Sequence, residues 1–197
     1  RHTRSQTVTG FQTCALPILF SSDNGPHGSG NTLQRFDTNG PFRGRKRDLY
    51  EGGIRVPLVA RWPGKIKPGT VSEHVSCFQD MMPTWAELAG SSVPSGIDGI
   101  SMVHSLLDSG DQPEHEYLYW ERGGHQKAVR MGKWKGVRNK MNRNPDAPIE
   151  LYDLDKDPGE QNDISDQYPE IVKRMDKIMQ SAREPVPDYA PDRWKFK

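Results

Sequence analysis

The sequence contains no run of about 18 apolar residues, so it offers no membrane-spanning helix, and residues 1–18 lack the pattern of a signal peptide. Net charge is almost absent: 27 basic residues against 26 acidic ones leave +1. That balance argues against a general nucleic-acid binder, which shows a strong basic excess. Two cysteines cannot build a disulfide framework, and they leave the redox compartment open. Large apolar residues are scarce as well. Leu, Ile, Val and Phe number 37 in 197 residues, a little under the ~20% that hints at disorder. Disorder also requires a high net charge, which is missing, and five Trp and six Tyr add burial capacity. The chain therefore reads as a folded, polar, loop-rich protein of one large or two small domains, with no evident internal repeat.

What is present concentrates in Leu19 to Trp62, LFSSDNGPHGSGNTLQRFDTNGPFRGRKRDLYEGGIRVPLVARW. Ile18-Leu19-Phe20 reads as the end of a buried strand, because a short apolar run bounded by turn formers fits one. Asp23-Asn24-Gly25-Pro26 stops it: Asn-Gly tolerates positive φ and Pro26 has no donor for a ladder. In open α/β sheets ligands bind outside the carboxyl ends of strands, where these side chains would lie. His27 to Pro41 is rich in Gly, Asn, Ser and Thr, and its length favours a functional loop. Residues 1–18 fit poorly with this, since Pro17 interrupts the apolar run. They read either as a foreign leader, such as a translated cloning or sequencing adapter, or as an irregular N-terminal arm, and Cys14 carries no function in either reading.

Downstream, Leu58 to Trp62 is expected as a second strand and Val71 to Val75 as a short strand or extended piece. A helix follows, with Asp80 as cap, Pro83 in the first turn and Gly90 as stop. Its core face is expected to hold Met81, Trp85, Leu88 and Ala89, and Met102 to Leu107 is a further short helix. From about residue 113 the pattern changes to short strands: Tyr117 to Trp120, Lys127 to Met131, Lys133 to Arg138 and Ile149 to Leu154. Met131-Gly132-Lys133 is tight enough for a hairpin. A last helix over Pro169 to Ala182 carries the apolar stripe Ile171, Val172, Met175, Ile178, Met179 and Ala182. Strands with a covering helix predict a small α+β subdomain over 113–197, after a domain part over 19–112.

Several residues suit chemistry at an anion. Asp23 and Asn24 offer hard oxygens fit for Ca²⁺ or Mg²⁺, though two ligands do not fill a Ca²⁺ shell of about six to eight. The plain alternative is an ordinary Asp-Asn-Gly turn. Lys46 lies in the basic run Arg43 to Arg47, which is either a solvated surface or the holder of a sulfate or phosphate oxygen. Glu51 and Arg55 can pair with each other or tie down the loop, and Gly52-Gly53 allows close backbone approach or positive φ. His27 could stand near a leaving group and His125, in Arg122-Gly123-Gly124-His125, could reach substrate. His74, His104 and His115 read as surface residues, and Cys77 as a small buried hydrophobe.

Taken in order, SSDNGPH, FRGRKRDLYEGGIRVP, ARWPGKI, QDMMPTWAELAG, DGIS and LYDLDKDPGEQND closely resemble the C-terminal part of the formylglycine-dependent, arylsulfatase-like sulfatases, from about Leu19 to the tail. The resemblance implies an α/β fold: part of an alkaline-phosphatase-like sandwich with a smaller antiparallel α+β subdomain. It implies hydrolysis of a sulfate ester of a carbohydrate or aryl group through a formylglycine, with Asp23 and Asn24 as Ca²⁺ ligands and Lys46 as the sulfate contact. The wording DNGPH and KRDLYEGGIRVP leans toward enzymes of sulfated sugars, including N-acetylgalactosamine-6-sulfatase-like members. Family members are commonly exported, so a periplasmic or secreted parent enzyme is expected. The family's nucleophile motif, Cys or Ser followed by x-Pro-x-Arg, is absent, and Cys14-Ala15-Leu16-Pro17-Ile18 does not supply it. The expectation is therefore a C-terminal portion of a sulfatase, inactive by itself. A phosphoryl hydrolase or transferase of the same superfamily and a non-catalytic carbohydrate-binding fragment stand as alternatives.

Overall fold

A computed structural model describes residues 16–28 and 35–183. The expectations for residues 1–15, for residues 29–34 of the His27 to Pro41 loop, and for the tail beyond residue 183 lie outside them. Among the described residues the main helices and strands are, in order, β1 (Ile18–Ser21), α1 (Glu51–Ile54), β2 (Leu58–Arg61), α2 (Met81–Leu88), α3 (Val103–Leu107), β3 (Leu118–Arg122), β4 (Gln126–Met131), β5 (Trp134–Arg138), β6 (Ile149–Asp153) and α4 (Pro169–Ser181). They form two compact units. One unit takes residues 16–21 and 57–114 of those described, and the other takes 22–28, 35–56 and 115–183. The loops over residues 23–28 and 35–55 thus group with the C-terminal sheet, which strand patterning does not foretell.

In the first unit β1 pairs antiparallel with β2, Ile18 opposite Arg61 and Ser21 opposite Leu58. The expected buried strand end is corrected here: Ile18 is 49% and Phe20 68% exposed. A ribbon two strands wide is too narrow to bury its own apolar residues. Residues 71–75 form no strand. A single 3₁₀ turn, Phe78–Asp80, leads into α2. Asp80 does sit at the N-cap, but its fully buried carboxylate accepts the N–H of Cys77 at 2.8 Å and of Ile100 at 2.8 Å instead of capping the helix. It thereby joins the helix start to the Ile97–Ser101 segment. Gly99 is required there, because a Cβ would overlap the Gln79 carbonyl oxygen. Consequently the buried residues of α2 are Pro83 and Thr84, whose hydroxyl accepts the Met102 N–H at 3.0 Å, while Trp85 and Ala89 of the expected core face are exposed.

The second unit is an antiparallel meander, β3-β4-β5-β6. Met131 pairs with Trp134 across a two-residue turn, and Gly132 takes the positive φ (+54°) that its first central position demands. Side chains alternate across this sheet with period two. One face presents Val129, Met131, Ile149 and Leu151, which pack with Met175 and Met179 of α4. The stripe expected on the last helix is this contact. Gly136 lies on the same face, and a Cβ there would overlap the Met175 Sδ. Arg138 reaches Asp176 at 2.9 Å, and the Lys127 ammonium donates to the Met179 carbonyl at 2.7 Å near the helix C-terminus, where a cation is favoured. The opposite face presents Ala128, Val137 and Tyr152, which bury Leu49 and Tyr50 with Ile54 and Trp120 alongside. The sheet is thus covered by a helix on one side and by the Arg43–Ile54 loop on the other.

Met175 is fully buried, and its removal leaves a cavity between helix and sheet. Met175→Ala is expected to destabilise this unit by about 2–5 kcal/mol. The exposed Met82→Ala, in contrast, should stay within about 0.5 kcal/mol of the parent chain. Urea unfolding followed by tryptophan fluorescence reads both.

Candidate anion and metal site

Two loops meet through their backbones. The Gly25 N–H donates to the Gly53 carbonyl at 2.9 Å, and the Lys46 N–H donates to the Pro26 carbonyl at 3.0 Å. Asp23 and Asn24 are thereby held on a loop joined directly to the one that carries Lys46. The glycines work by close approach and not by positive φ, which settles the alternative left open for Gly52-Gly53. A Cβ on Gly25 would overlap the Gly52 carbonyl oxygen, one on Gly52 would come within 2.5 Å of the Arg43 carbonyl oxygen, and one on Gly53 would overlap that of Asp48.

Two arginines of the basic run, Arg43 and Arg45, are anchored by their side chains. Arg43 donates to the Tyr152 hydroxyl at 3.0 Å and the Glu160 carbonyl at 2.9 Å, and stacks 3.9 Å from the Tyr50 ring centroid. Arg45 donates to the Gly28 carbonyl at 2.9 Å. Lys46 is half-buried, and among the described residues neither its ammonium nor the exposed Asp23 carboxylate has a hydrogen bond or ion pair. Asn24 spends its amide N–H on the Gly25 carbonyl at 3.2 Å, which leaves Oδ1 as an acceptor. An uncommitted carboxylate and an amide oxygen on one turn are a hard-donor pair that fits part of a Ca²⁺ or Mg²⁺ shell. An uncommitted ammonium on the loop joined to theirs fits an anion.

His27 is exposed and directly follows Pro26, so it shares the joined loop. His125 ends the β3–β4 turn, where its N–H donates to the Arg122 carbonyl at 2.8 Å. Arg122 in turn donates to the Arg47 carbonyl at 3.0 Å, which fastens this hairpin to the residue after Lys46. Cys77 has a half-buried thiol; burial first, and then Asp80, push it up to about 12. Such a thiol is inert at neutral pH.

Under these loops lies a charged cluster that strand patterning misses. Lys135 and Glu160 are 0% and Glu51 1% exposed. The Lys135 ammonium stands 2.8 Å from Glu51 Oε1 and 3.5 Å from Glu160 Oε1, and 5.6 Å from the Trp120 ring centroid. Arg130 and Arg55 approach Glu51 Oε2 at 3.5 and 3.7 Å. The expected Glu51–Arg55 pair is therefore one edge of a larger network. Burial works to raise the Glu51 carboxyl, but Lys135, Arg130 and Arg55 outweigh it and hold the group below the usual carboxylate range. Glu160 goes the other way: burial pushes it up to about 7, with Lys135 pulling down and Glu51 adding repulsion. A lysine on an alternating strand ordinarily marks the solvent face, so Lys135 gave no sign of a buried role.

The family described as N-sulphoglucosamine sulphohydrolase, C-terminal, matches residues 42–185. The chain is 30% identical to the N-acetylgalactosamine-6-O-sulfatase of Bacteroides thetaiotaomicron, over 84% of this chain and 36% of that protein. It is 31% identical to human arylsulfatase A, over 82% and 36%. A solved structure from work on the metabolism of multiple glycosaminoglycans by Bacteroides thetaiotaomicron superposes with a TM-score of 0.67 at 28% identity, covering 84% of this chain and 38% of that one. The chain thus spans just over a third of the length of these relatives, and its mixed helices and antiparallel sheets correspond to part of their alkaline-phosphatase-like α/β fold. With more than half of its residues inside that one family match, the chain belongs to the sulfatases, by their C-terminal N-sulphoglucosamine sulphohydrolase-type domain.

Proposed function

We propose that this chain supplies one half of a sulfatase centre, in a parent enzyme that hydrolyses sulfate esters of carbohydrates. The observation that carries the reading is the pair of backbone bonds, Gly25 to Gly53 and Lys46 to Pro26, which put uncommitted hard oxygens and an uncommitted ammonium on joined loops. Asp23 and Asn24 would hold Ca²⁺, with Mg²⁺ as the alternative, and other ligands must complete the shell. When bound, that cation supplies Lewis-acid charge for the sulfate oxygens. Lys46 would donate a charge-assisted hydrogen bond to a sulfate oxygen as the S–O bond breaks. His27 would stand beside the leaving oxygen, and His125, on the hairpin fastened to Arg47, would contact the sugar. A solved relative in complex with its substrate D-glucosamine-2-N,6-O-disulfate, at 26% identity and a TM-score of 0.62, supports a sulfated sugar as the substrate class.

The nucleophile implied by the family is a formylglycine made from Cys or Ser. Its motif, Cys or Ser followed by x-Pro-x-Arg, is absent from the sequence, so this chain alone is assigned no turnover. Export of the parent enzyme to the periplasm or medium belongs to the same reading. Among the described residues no helix is long and apolar enough to cross a membrane.

Purified 1–197 is expected to release no 4-nitrophenol from 4-nitrophenyl sulfate, and measurable turnover would overturn the half-site assignment. In a full-length parent carrying this segment, Lys46→Ala should lower kcat/KM for a sulfate ester about 10²–10³-fold, the scale of losing one charge-stabilising donor. A matched phosphate ester assayed alongside decides between sulfatase and phosphoryl hydrolase. Chelation should abolish the same activity and Ca²⁺ restore it, whereas Asp23→Ala should raise the Ca²⁺ concentration needed for half-restoration.

A further inference from the structure

We propose that Lys135 and Glu160 are positioning residues for the site: acting through Glu51, they fix the Gly52-Gly53 turn that holds the Asp23–Asn24 loop and the loop of Lys46. The inference rests on the half-site reading for its consequence, but its structural content stands on a closed cycle of bonds. Glu160 Oε2 accepts the Glu51 N–H at 2.6 Å. The Gly52 N–H donates to the Arg43 carbonyl at 2.7 Å, and the Arg43 guanidinium returns to the Glu160 carbonyl at 2.9 Å. Lys135 closes the cycle from below at 2.8 Å from Glu51. From this frame the Gly53 carbonyl reaches out to the Gly25 N–H.

Glu160 has a second, independent peculiarity. Its φ is +53°, in the left-handed region that costs a side-chain-bearing residue energy and favours glycine. Gly159 stands immediately before it, so the tight turn had a glycine at hand and yet the strained position carries a carboxylate. That strain is kept because a side-chain acceptor is needed where Glu160 points, at the first N–H of α1. The charged groups around it are Lys135 from β5, Glu51 from α1 and Arg43 from the preceding loop, with Arg130 from β4 and Arg55 from α1 on the far side of Glu51.

The test is amide hydrogen exchange read by NMR on the 197-residue chain, which needs neither metal nor ester. Its failure is therefore separate from failure of the sulfatase reading, which the activity assays judge. Glu160→Gly relieves the backbone but removes the acceptor. It should accelerate exchange at Gly25 and Lys46 by about ten- to hundredfold, the range set by an unsatisfied buried donor. Lys135→Met should do the same by removing the ammonium that stands between the Glu51 and Glu160 carboxyl groups. Glu160→Gln, which mimics the protonated carboxyl, should keep the protection. In the parent chain the folded-state Glu160 carboxyl lies near 7, above its ordinary value, so the folded state holds the extra proton between the two values. Its stabilisation is complete below the ordinary carboxylate range and is lost as pH rises through about 7, so Gly25 protection should fall over that window in the parent and not in Glu160→Gln. Unchanged protection at Gly25 in Glu160→Gly overturns the proposal. So does an equal loss in Glu160→Gln, or a loss spread evenly over the Val129 and Gly136 strands, since the pair would then serve only the sheet.

Discussion

One ammonium shared between two carboxylates in the interior governs this unit. Lys135 is the partner of Glu51 and Glu160, and all three are removed from water. Deleting one member of such a set leaves a buried charge uncompensated, which costs far more than the set contributes as a whole. The two carboxylates answer the same ammonium differently. Glu51 also faces two guanidinium groups and stays ionised; Glu160 has only the farther side of Lys135 and is drawn toward its neutral form. Such an arrangement is a poor source of net stability and a good source of geometric definition, because only one relative placement of strand, turn and helix satisfies it.

That definition is passed to the loops by main-chain bonds with no room for variation. Gly25, Gly52 and Gly53 sit so close to neighbouring carbonyl oxygens that no side chain fits. Loops of this kind have little apolar surface to bury, so hydrophobic packing cannot fix them to within the tolerance a charged site needs. The sheet supplies what they lack. Its helix side packs methionines and aliphatics, and its loop side combines Tyr50, Ala128, Val137 and Tyr152 with the charged cluster.

The sequence showed most of this architecture and little of its wiring. The four strands of the meander, the Gly132 hairpin, the stripe of α4 and the pairing of Glu51 with Arg55 were legible, since period and turn chemistry are local signals. Asp23, Asn24 and Lys46 were singled out by residue type and resemblance, and backbone bonds join the loops that carry them. The buried strand end at Ile18–Phe20 and the Trp85 face were misjudged, because apolar composition says nothing of how wide a sheet is or what Asp80 draws together. Lys135 and Glu160 were invisible for a different reason. A lone lysine on a strand and a glutamate in a turn read as solvated until a second charge, 84 residues away in the chain, is seen to meet the lysine.

The fate of the basic run from Arg43 to Arg47 follows from the same economy of charge. Arginine presents several donors in a rigid fork and suits a site that must tie three chain segments together, as Arg43 does with Tyr50, Tyr152 and Glu160. Lysine presents a compact ammonium on a flexible stem and suits a site that must meet a mobile charge. An arginine at position 46 would tend to find carbonyls of its own, as Arg45 finds Gly28 and Arg122 finds Arg47. With its backbone pinned to Pro26 and the Arg45 side chain spent on Gly28, Lys46 keeps its ammonium uncommitted, in contrast to the scaffold role of Arg43 in the same loop.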